Sequence, residues 1–202
     1  MLDNLLTFIV VGFGAQLVDG AIGMAYGVIS TSVLLSIGIP PAVASAAVHT
    51  AEIATTGLSG LSHAMFRNVD YALFRRLVIP GVMGSILGAY VITKIPTEFA
   101  KPIIATYLLI MGSVICYKAL KGEKFLKLMK SFLSKNVLKH RLPSDHAVGL
   151  TPLGLGGGFL DAAGGGGWGP IVTSSLLAQG TTPHFTIGSV NLVEFLVTLS
   201  AS

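Results

Sequence analysis

The chain contains the same glycine-rich stretch twice. A shift of 142 residues carries residues 12–38 onto residues 154–180 without a gap and places Asp19 on Asp161. The match continues past the glycines, where Glu52 meets Glu194. A gapless repeat of this length indicates two copies of one structural unit. The fold must therefore accommodate a doubled, apolar unit that carries acidic side chains.

The composition predicts a protein embedded in a membrane. Apolar residues make up 52% of the 202 residues, charged residues only 11%, and the mean hydropathy is +0.77, whereas soluble domains carry about 25% charged residues. All 13 Lys and Arg lie between Arg67 and Arg141. The net charge of +4 therefore belongs to loops and not to a face that binds nucleic acid. We expect an all-α, polytopic transmembrane helix bundle with no nucleic-acid partner.

Each copy opens with an apolar segment that is too long for one spanning helix. As a single helix, residues 5–37 would extend about 48 Å at ~1.5 Å per residue, well beyond a hydrocarbon core of ~30 Å. The central glycines of 5–37 and 147–179 predict two half-helices that meet at a break. The sequence leaves open whether each segment is re-entrant or crosses once. A span that carries a glutamate follows each break, over roughly 41–62 and from Pro183 onward.

The chain divides into three parts. Residues 1–118 form the first transmembrane unit, which includes further spans at 77–93 and 102–117. Residues 119–146 form a basic connector, and residues 147–202 begin the second unit. Since the chain stops inside a span of the second unit, the length of the first predicts roughly 55–60 further residues.

The connector alternates lysines with apolar residues at helical spacing. This pattern predicts an amphipathic helix on an anionic membrane surface, with a solvated basic linker as the alternative. The positive-inside rule places the basic loops 63–76 and 118–146 on the cytoplasmic side of the cell membrane. If the first segment is re-entrant, as its length and glycines favour, the two units are inverted, which is a recurring plan of transporters.

The glycine breaks are candidates for a binding site. Irregular backbone within a membrane is tolerated only where it is buried in protein or lines a cavity. The run at 164–167, with Gly165 and Gly166, is expected to leave N–H groups uncovered, and the half-helix starts near Gly27 and Gly169 add positive dipole ends. Two such starts facing each other would bind an anion without Lys or Arg. Close helix packing is the alternative role of these glycines.

Four acidic side chains lie within the apolar segments. A charge at mid-bilayer costs at least ~2.5–3.5 kcal/mol, so we expect a function or tight pairing. Glu52 and Glu194 are candidates for a coupling proton. Asp19 and Asp161, at the breaks, bind substrate, carry a coupling proton or cap helix ends, and a remaining alternative from another class is an intramembrane aspartyl hydrolase that uses both.

Several polar side chains near these acids complete the candidate site. His49 and Asn191 precede the two glutamates by three residues and share a helix face with them, but only His49 titrates near neutral pH. Hydroxyl and amide groups are candidates for hydrogen bonds to a substrate oxygen, although Ser and Thr in membrane helices often bond to their own helix. Two aromatic residues at one repeat position either gate a cavity or lie at its mouth. These candidates are Gln16, Thr31, Ser32, Thr173, Ser174, Tyr26 and Trp168.

No nucleotide-binding loop, zinc-ligand spacing or nucleophile elbow is present in the sequence, so we expect neither a cofactor nor a metal. The repeated unit, however, resembles the sulfite exporter TauE/SafE family. The resemblance rests on the glycines at 156–158 and 164–167, on Gly169-Pro170-Ile171, and on the spans at 46–52 and 188–194. The first copy carries Val28 where the second has Pro170.

The resemblance implies a multi-span exporter of sulfite, organosulfonates or related anions, built from duplicated halves. Its partners would be a small anionic substrate and the lipid bilayer, and assembly into a homo-oligomer stays open. A proton-coupled secondary transporter is the leading hypothesis, and a passive anion channel is the alternative.

Overall fold

The computed structural model describes residues 2–22, 25–136 and 147–202, with side chains for 8–19, 25–117 and 147–202. This part of the chain is all-α, as the sequence predicts, and contains no strand. The first unit comprises α1 (Leu2–Ile22), α2 (Tyr26–Ser36), α3 (Pro41–Met65), α4 (Tyr71–Lys94) and α5 (Thr97–Asn136). The second comprises α6 (Leu150–Gly164), a π-helical turn (Gly169–Thr173) that continues into α7 (Ser174–Ala178), and α8 (Pro183–Ala201).

The ends of corresponding helices coincide under the shift of 142 residues. Helix α3 begins at Pro41 and α8 at Pro183, because proline is well suited to the first turn of a helix. Helices α2 and α7 are followed by Gly38 and Gly180, whose φ angles of 92° and 86° suit glycine. The same local signals therefore set the same helix boundaries in both copies.

The first member of the opening pair is longer than expected for a half-helix. Helix α1 has 21 residues and α2 has 11, whereas α6 has 15. At ~1.5 Å per residue, α1 is about 31 Å long. Gly12 and Gly14 lie inside α1 and do not break it, because glycine lowers helix stability by only about 1 kcal/mol.

Three described helices are long and apolar enough to cross a membrane. They are Tyr71–Lys94, the Thr97–Tyr117 part of α5, and Pro183–Ala201. Helix α3, predicted as a span, has 25 residues but is not among these three, because it is rich in Ala, Ser and Thr.

Helix α4 packs closely on α6 through small residues. A Cβ added to Gly84 or Gly88 would collide with the carbonyl groups of Leu155 or Phe159 on α6. The spacing of four between these glycines predicts such a face, since small residues let helix backbones approach. The structure confirms this prediction, and the packing positions α6 beside the core of the first unit.

The repeat-related helices α3 and α8 lie against each other. Gly57 contacts Phe195, and Gly60 contacts Leu192. Residue numbers rise along α3 as they fall along α8, so the two helices run antiparallel.

Helix α5 continues without interruption to Asn136 and therefore passes through the predicted end of the first unit at residue 118. The side chains of residues 118–136 are not described, and residues 137–146 lie outside the described part of the chain. The amphipathic character of the connector and its cytoplasmic location stay predictions.

Candidate functional site

Asp19 and Asp161 cap the helices that follow the two breaks. Asp19 Oδ1 accepts hydrogen bonds from the backbone N–H groups of Ala25 and Tyr26, at 2.6 and 3.1 Å. Asp161 Oδ1 accepts from those of Gly167 and Trp168, at 2.7 and 2.9 Å. Each acceptor and donor in one copy is 142 residues from its counterpart in the other. Of the roles expected for these acids, capping is the one visible in their contacts, and it compensates the positive end of each helix dipole.

The glycine run of the second unit is not the open set of N–H groups that the sequence suggested. The N–H groups of Gly165 and Gly166 donate to the Asp161 main-chain oxygen, at 2.8 and 3.2 Å, and the next one donates to the Asp161 carboxylate. Both glycines have positive φ angles, 69° and 148°, which a residue with a side chain adopts only at a cost. The run therefore folds the chain around Asp161, and that acid, not a ligand, takes these donors.

Hydroxyl groups of the first unit hold the carbonyl groups of this second break. Thr31 Oγ1 donates to the Gly165 oxygen at 2.5 Å, and the Tyr107 hydroxyl donates to the Gly166 oxygen at 3.0 Å. Ser45 Oγ donates to the Ala162 oxygen at 2.5 Å. Irregular backbone at membrane depth needs such partners. These bonds fix the second break to α2, α3 and α5.

His49 and Asp161 form a buried pair between the two units. The side chains are 0% and 3% exposed, and His49 Nε2 lies 3.1 Å from Asp161 Oδ2. His49 Nδ1 lies 2.7 Å from the Ser45 main-chain oxygen, which can only accept, so Nδ1 carries a proton. The contact between Nε2 and Oδ2 then requires one proton, held by either partner. The pair is neutral overall in both arrangements.

A cavity of about 270 Å³ lies where the two units meet. Its wall includes the first residues of the half-helices from both copies, Gly27 and Val28 from the first and Gly169 and Pro170 from the second. No Lys or Arg is among the described residues that line it. The predicted site residues in its wall are Gln16, Asp19, Tyr26, Glu52, Asp161, Gly166, Asn191 and Glu194.

The other predicted site residues do not line this cavity. Thr31 and His49 act through the contacts described above, and Gly165 forms the turn of the break. Ser32 is exposed, and its hydroxyl donates to the Val28 oxygen one turn back in its own helix, at 2.6 Å, as is common for serine in membrane helices. Thr173 is buried in the second unit, and Ser174, at the start of α7, is half-buried.

Trp168 neither gates the cavity nor lies at its mouth. Its side chain is 0% exposed, and its Nε1 donates to the Val190 oxygen at 3.2 Å. The absence of a side chain at Gly81 leaves room for the indole ring, because a Cβ there would come within 2.7 Å of it. Its repeat counterpart, Tyr26, is half-buried and lines the cavity, so one repeat position serves two different purposes.

The two glutamates differ in their surroundings. Glu52 is 7% exposed, and its Oε2 atom is buried without a hydrogen-bond partner in the described structure. Glu194 is half-buried and lines the same cavity. Asn191, which occupies the repeat position of His49, donates to Ser59 Oγ on α3 at 2.8 Å. The same repeat position therefore holds His49, the partner of Asp161, in the first unit and Asn191, which joins α8 to α3, in the second.

Some residues of the site were not selected from the sequence. Tyr107 and Ser45 bind the second break, and Thr55, Thr56 and Ser59 line the cavity on the Glu52 side of α3. Tyr107 had a detectable signal, since it is a hydroxyl-bearing aromatic ring in the middle of the uncharged span 102–117. The α3 residues follow Glu52 at three-, four- and seven-residue spacing, which marks one helix face.

Comparison with known proteins agrees with this architecture. The family model for the sulfite exporter TauE/SafE family matches residues 8–202. A curated relative from Bacillus subtilis (strain 168), described as the probable membrane transporter protein YtnM, is 45% identical over all 202 residues. The chain covers 64% of the length of that relative. No solved structure matches the chain.

The long apolar helices of the described structure agree with these matches. The chain belongs to the sulfite exporter TauE/SafE family.

Proposed function

We propose that the chain supplies the substrate cavity of a proton-coupled secondary transporter for a small oxyanion, such as sulfite or an organosulfonate. The observation that carries this proposal is the cavity between the two units, with half-helix starts and acidic side chains from both copies in its wall. The volume of about 270 Å³ equals that of about nine water molecules at ~30 Å³ each. A small oxyanion with part of its hydration shell fits this space.

The helix starts account for anion binding. Gly27 and Gly169 are at the N-terminal ends of the helices that follow the breaks, and both line the cavity. Backbone N–H groups at such ends point outward and carry partial positive charge. A site of this kind binds an oxyanion by hydrogen bonds and does not require a buried Lys or Arg.

The acidic side chains account for coupling to protons. An ionised carboxylate ~5 Å from a bound monoanion would cost about 3 kcal/mol at an effective dielectric constant of ~20. Asp19 and Asp161 each have one oxygen held by two amides, so these two acids act as helix caps. Glu52 and Glu194 are the remaining acids of the cavity and become the sites that take up protons with the anion.

The antiparallel contact of α3 with α8 supports two inverted units. Inverted repeats around a central site allow the site to open alternately to each side of the membrane. Under this proposal the transporter lies in the cell membrane with loops 63–76 and 118–146 in the cytoplasm. Cysteines placed at Arg67 and Lys135, in a protein with Cys116 replaced by Ser, should react with an impermeant reagent only from the cytoplasmic side. Labelling from opposite sides would contradict this topology.

Flux measurements test the proposed activity. The full-length protein is reconstituted into liposomes, and the flux of labelled sulfite and methanesulfonate is measured with and without a pH gradient. We expect protein-dependent flux that a proton gradient accelerates. Flux that does not depend on the pH gradient would indicate a passive channel. The absence of flux for both anions would overturn the proposal.

A further inference from the structure

We propose that the oxyanion binds at the start of α2, off the centre of the cavity, together with a protonated Glu52 carboxyl group. This inference rests on the proposed function and specifies its site. Three features carry it: the backbone amides that Asp19 leaves uncovered, the difference between Val28 of the first copy and Pro170 of the second, and the position of Glu52.

Two amides at the start of α2 have no acceptor among the residues that the structure describes. The first N–H groups of a helix have no acceptor within the helix. Asp19 takes those of Ala25 and Tyr26, and the N–H of Ile29 donates to the Ala25 oxygen. The two amides between them belong to Gly27 and Val28, and both residues line the cavity.

The start of the second half-helix has fewer donors. Asp161 takes the N–H groups of Gly167 and Trp168, and the next residues in the cavity wall are Gly169 and Pro170. Proline has no N–H group. The second unit therefore offers one amide where the first offers two, so an oxyanion is held more strongly at α2.

The Glu52 carboxyl group lies against the same helix start. Its Oε1 atom is 3.1 Å from the position that a Cβ on Gly27 would occupy. Its Oε2 atom is buried without a partner, and buried polar atoms in native proteins nearly always have one. A protonated Oε2 that donates to an oxygen of the bound anion would acquire that partner.

The charges around Glu52 require the proton to enter with the anion. The ionisable groups facing it from the surrounding helices are Asp19, Asp161 and Glu194 in the cavity wall, with His49 on its own helix and Tyr26 on α2. The acids among these outnumber the one basic group, His49, which is already paired with Asp161. A monoanion with one proton from solvent adds no net charge to this site, whereas a monoanion alone adds one.

Binding of methanesulfonate to the full-length protein tests the amide contact. Variant V28P removes the N–H group of residue 28. The matched variant V28A loses side-chain packing at the same position but keeps the N–H group. We expect the dissociation constant of V28P to exceed that of V28A by about ten- to a hundredfold, as for a hydrogen bond to a charged group. Pro170 occupies the same register in the second unit, where the turn is π-helical.

The pH dependence of binding tests the proton. Methanesulfonate stays a monoanion over the accessible pH range, so any pH dependence belongs to the protein. Wild-type affinity should fall about tenfold per pH unit once Glu52 of the free protein has lost its proton. Variant E52Q keeps a donor at this position, so its affinity should change less with pH than that of the wild type, and Glu194 accounts for the dependence that remains.

The outcomes separate this inference from the proposed function. Equal dissociation constants for V28P and V28A, or an unchanged pH dependence in E52Q, would overturn the inference while leaving anion transport intact. A wild-type protein that neither binds nor transports methanesulfonate or sulfite would overturn both. Should V28P elute as an aggregate in size exclusion, the E52Q measurement decides by itself.

Discussion

Removal of the His49 side chain should strongly destabilise the protein, because it leaves one oxygen of Asp161 buried and unpaired. His49 and Asp161 are 0% and 2% exposed, so the lost partner can be replaced only by water that enters the space left by the imidazole ring. Breaking a buried ion pair by removing one member costs about 3–5 kcal/mol. For a domain of this size, ~1 kcal/mol corresponds to a change in Tm of about 2–4 °C. The variant H49A should therefore melt about 6–20 °C below the wild type.

Thermal unfolding of the full-length protein in detergent, followed by size exclusion of heated samples, measures this shift. The variant D161N is the second arm: its Oδ1 still accepts the two amide bonds of the cap, while its Nδ2 offers His49 Nε2 only a neutral hydrogen bond. In the double variant, H49A should therefore cost less than it costs in the wild-type background. The variant H49N, which copies Asn191 of the second unit, should be less stable than wild type because the shorter side chain cannot span the same distance.

Two results would refute this reasoning. If H49A melts within about 2 °C of the wild type, the Asp161 oxygen does not depend on His49. If the losses in H49A and D161N simply add in the double variant, the two side chains are not coupled. Either result would mean that the 3.1 Å contact between His49 Nε2 and Asp161 Oδ2 does little to hold the two units together.

Two further predictions concern the second break. The variant Y107F should lower stability by about 1 kcal/mol, seen as a fall in Tm of about 2–4 °C, since it leaves the Gly166 oxygen without its hydroxyl donor; an unchanged Tm would contradict the role assigned to Tyr107. The variant G166A should fail to give folded protein, because φ is 148° and a Cβ would lie 2.6 Å from the Val28 nitrogen. The matched variant G112A, with no atom within 4 Å of the added Cβ, should express normally, and normal folding of G166A would show that this break is not as close to α2 as described.

The sequence predicted the elements of the fold because local signals set them. Prolines start α3 and α8, and glycines end α2 and α7, so the repeat alone indicated matching helix boundaries. The capping role of the two aspartates was among the alternatives for the same reason, since cap and amides are six or seven residues apart.

Contacts between distant parts of the chain could not be predicted in this way. His49 was expected to act with Glu52, three residues away, but its partner is 112 residues away on α6. Trp168 was compared with Tyr26 because the repeat aligns them. Its burial depends on Gly81 of α4, and the comparison of the two copies does not show that contact.

The differences between the two copies are concentrated around the cavity, and this explains how a symmetric scaffold can hold an asymmetric site. The caps at Asp19 and Asp161 are the same to the residue, and so are the ends of α2 and α7 and the starts of α3 and α8. The positions that differ change a hydrogen-bonding group: Val28 has an N–H that Pro170 lacks, and His49 can hold a proton that Asn191 cannot. The second break is held by His49, Ser45, Thr31 and Tyr107. The second unit thus provides a wall of the cavity that these hydrogen bonds hold in place. The first unit provides the Val28 amide and the Glu52 carboxyl group. A larger dissociation constant for V28P than for V28A would show that the Val28 amide binds the anion.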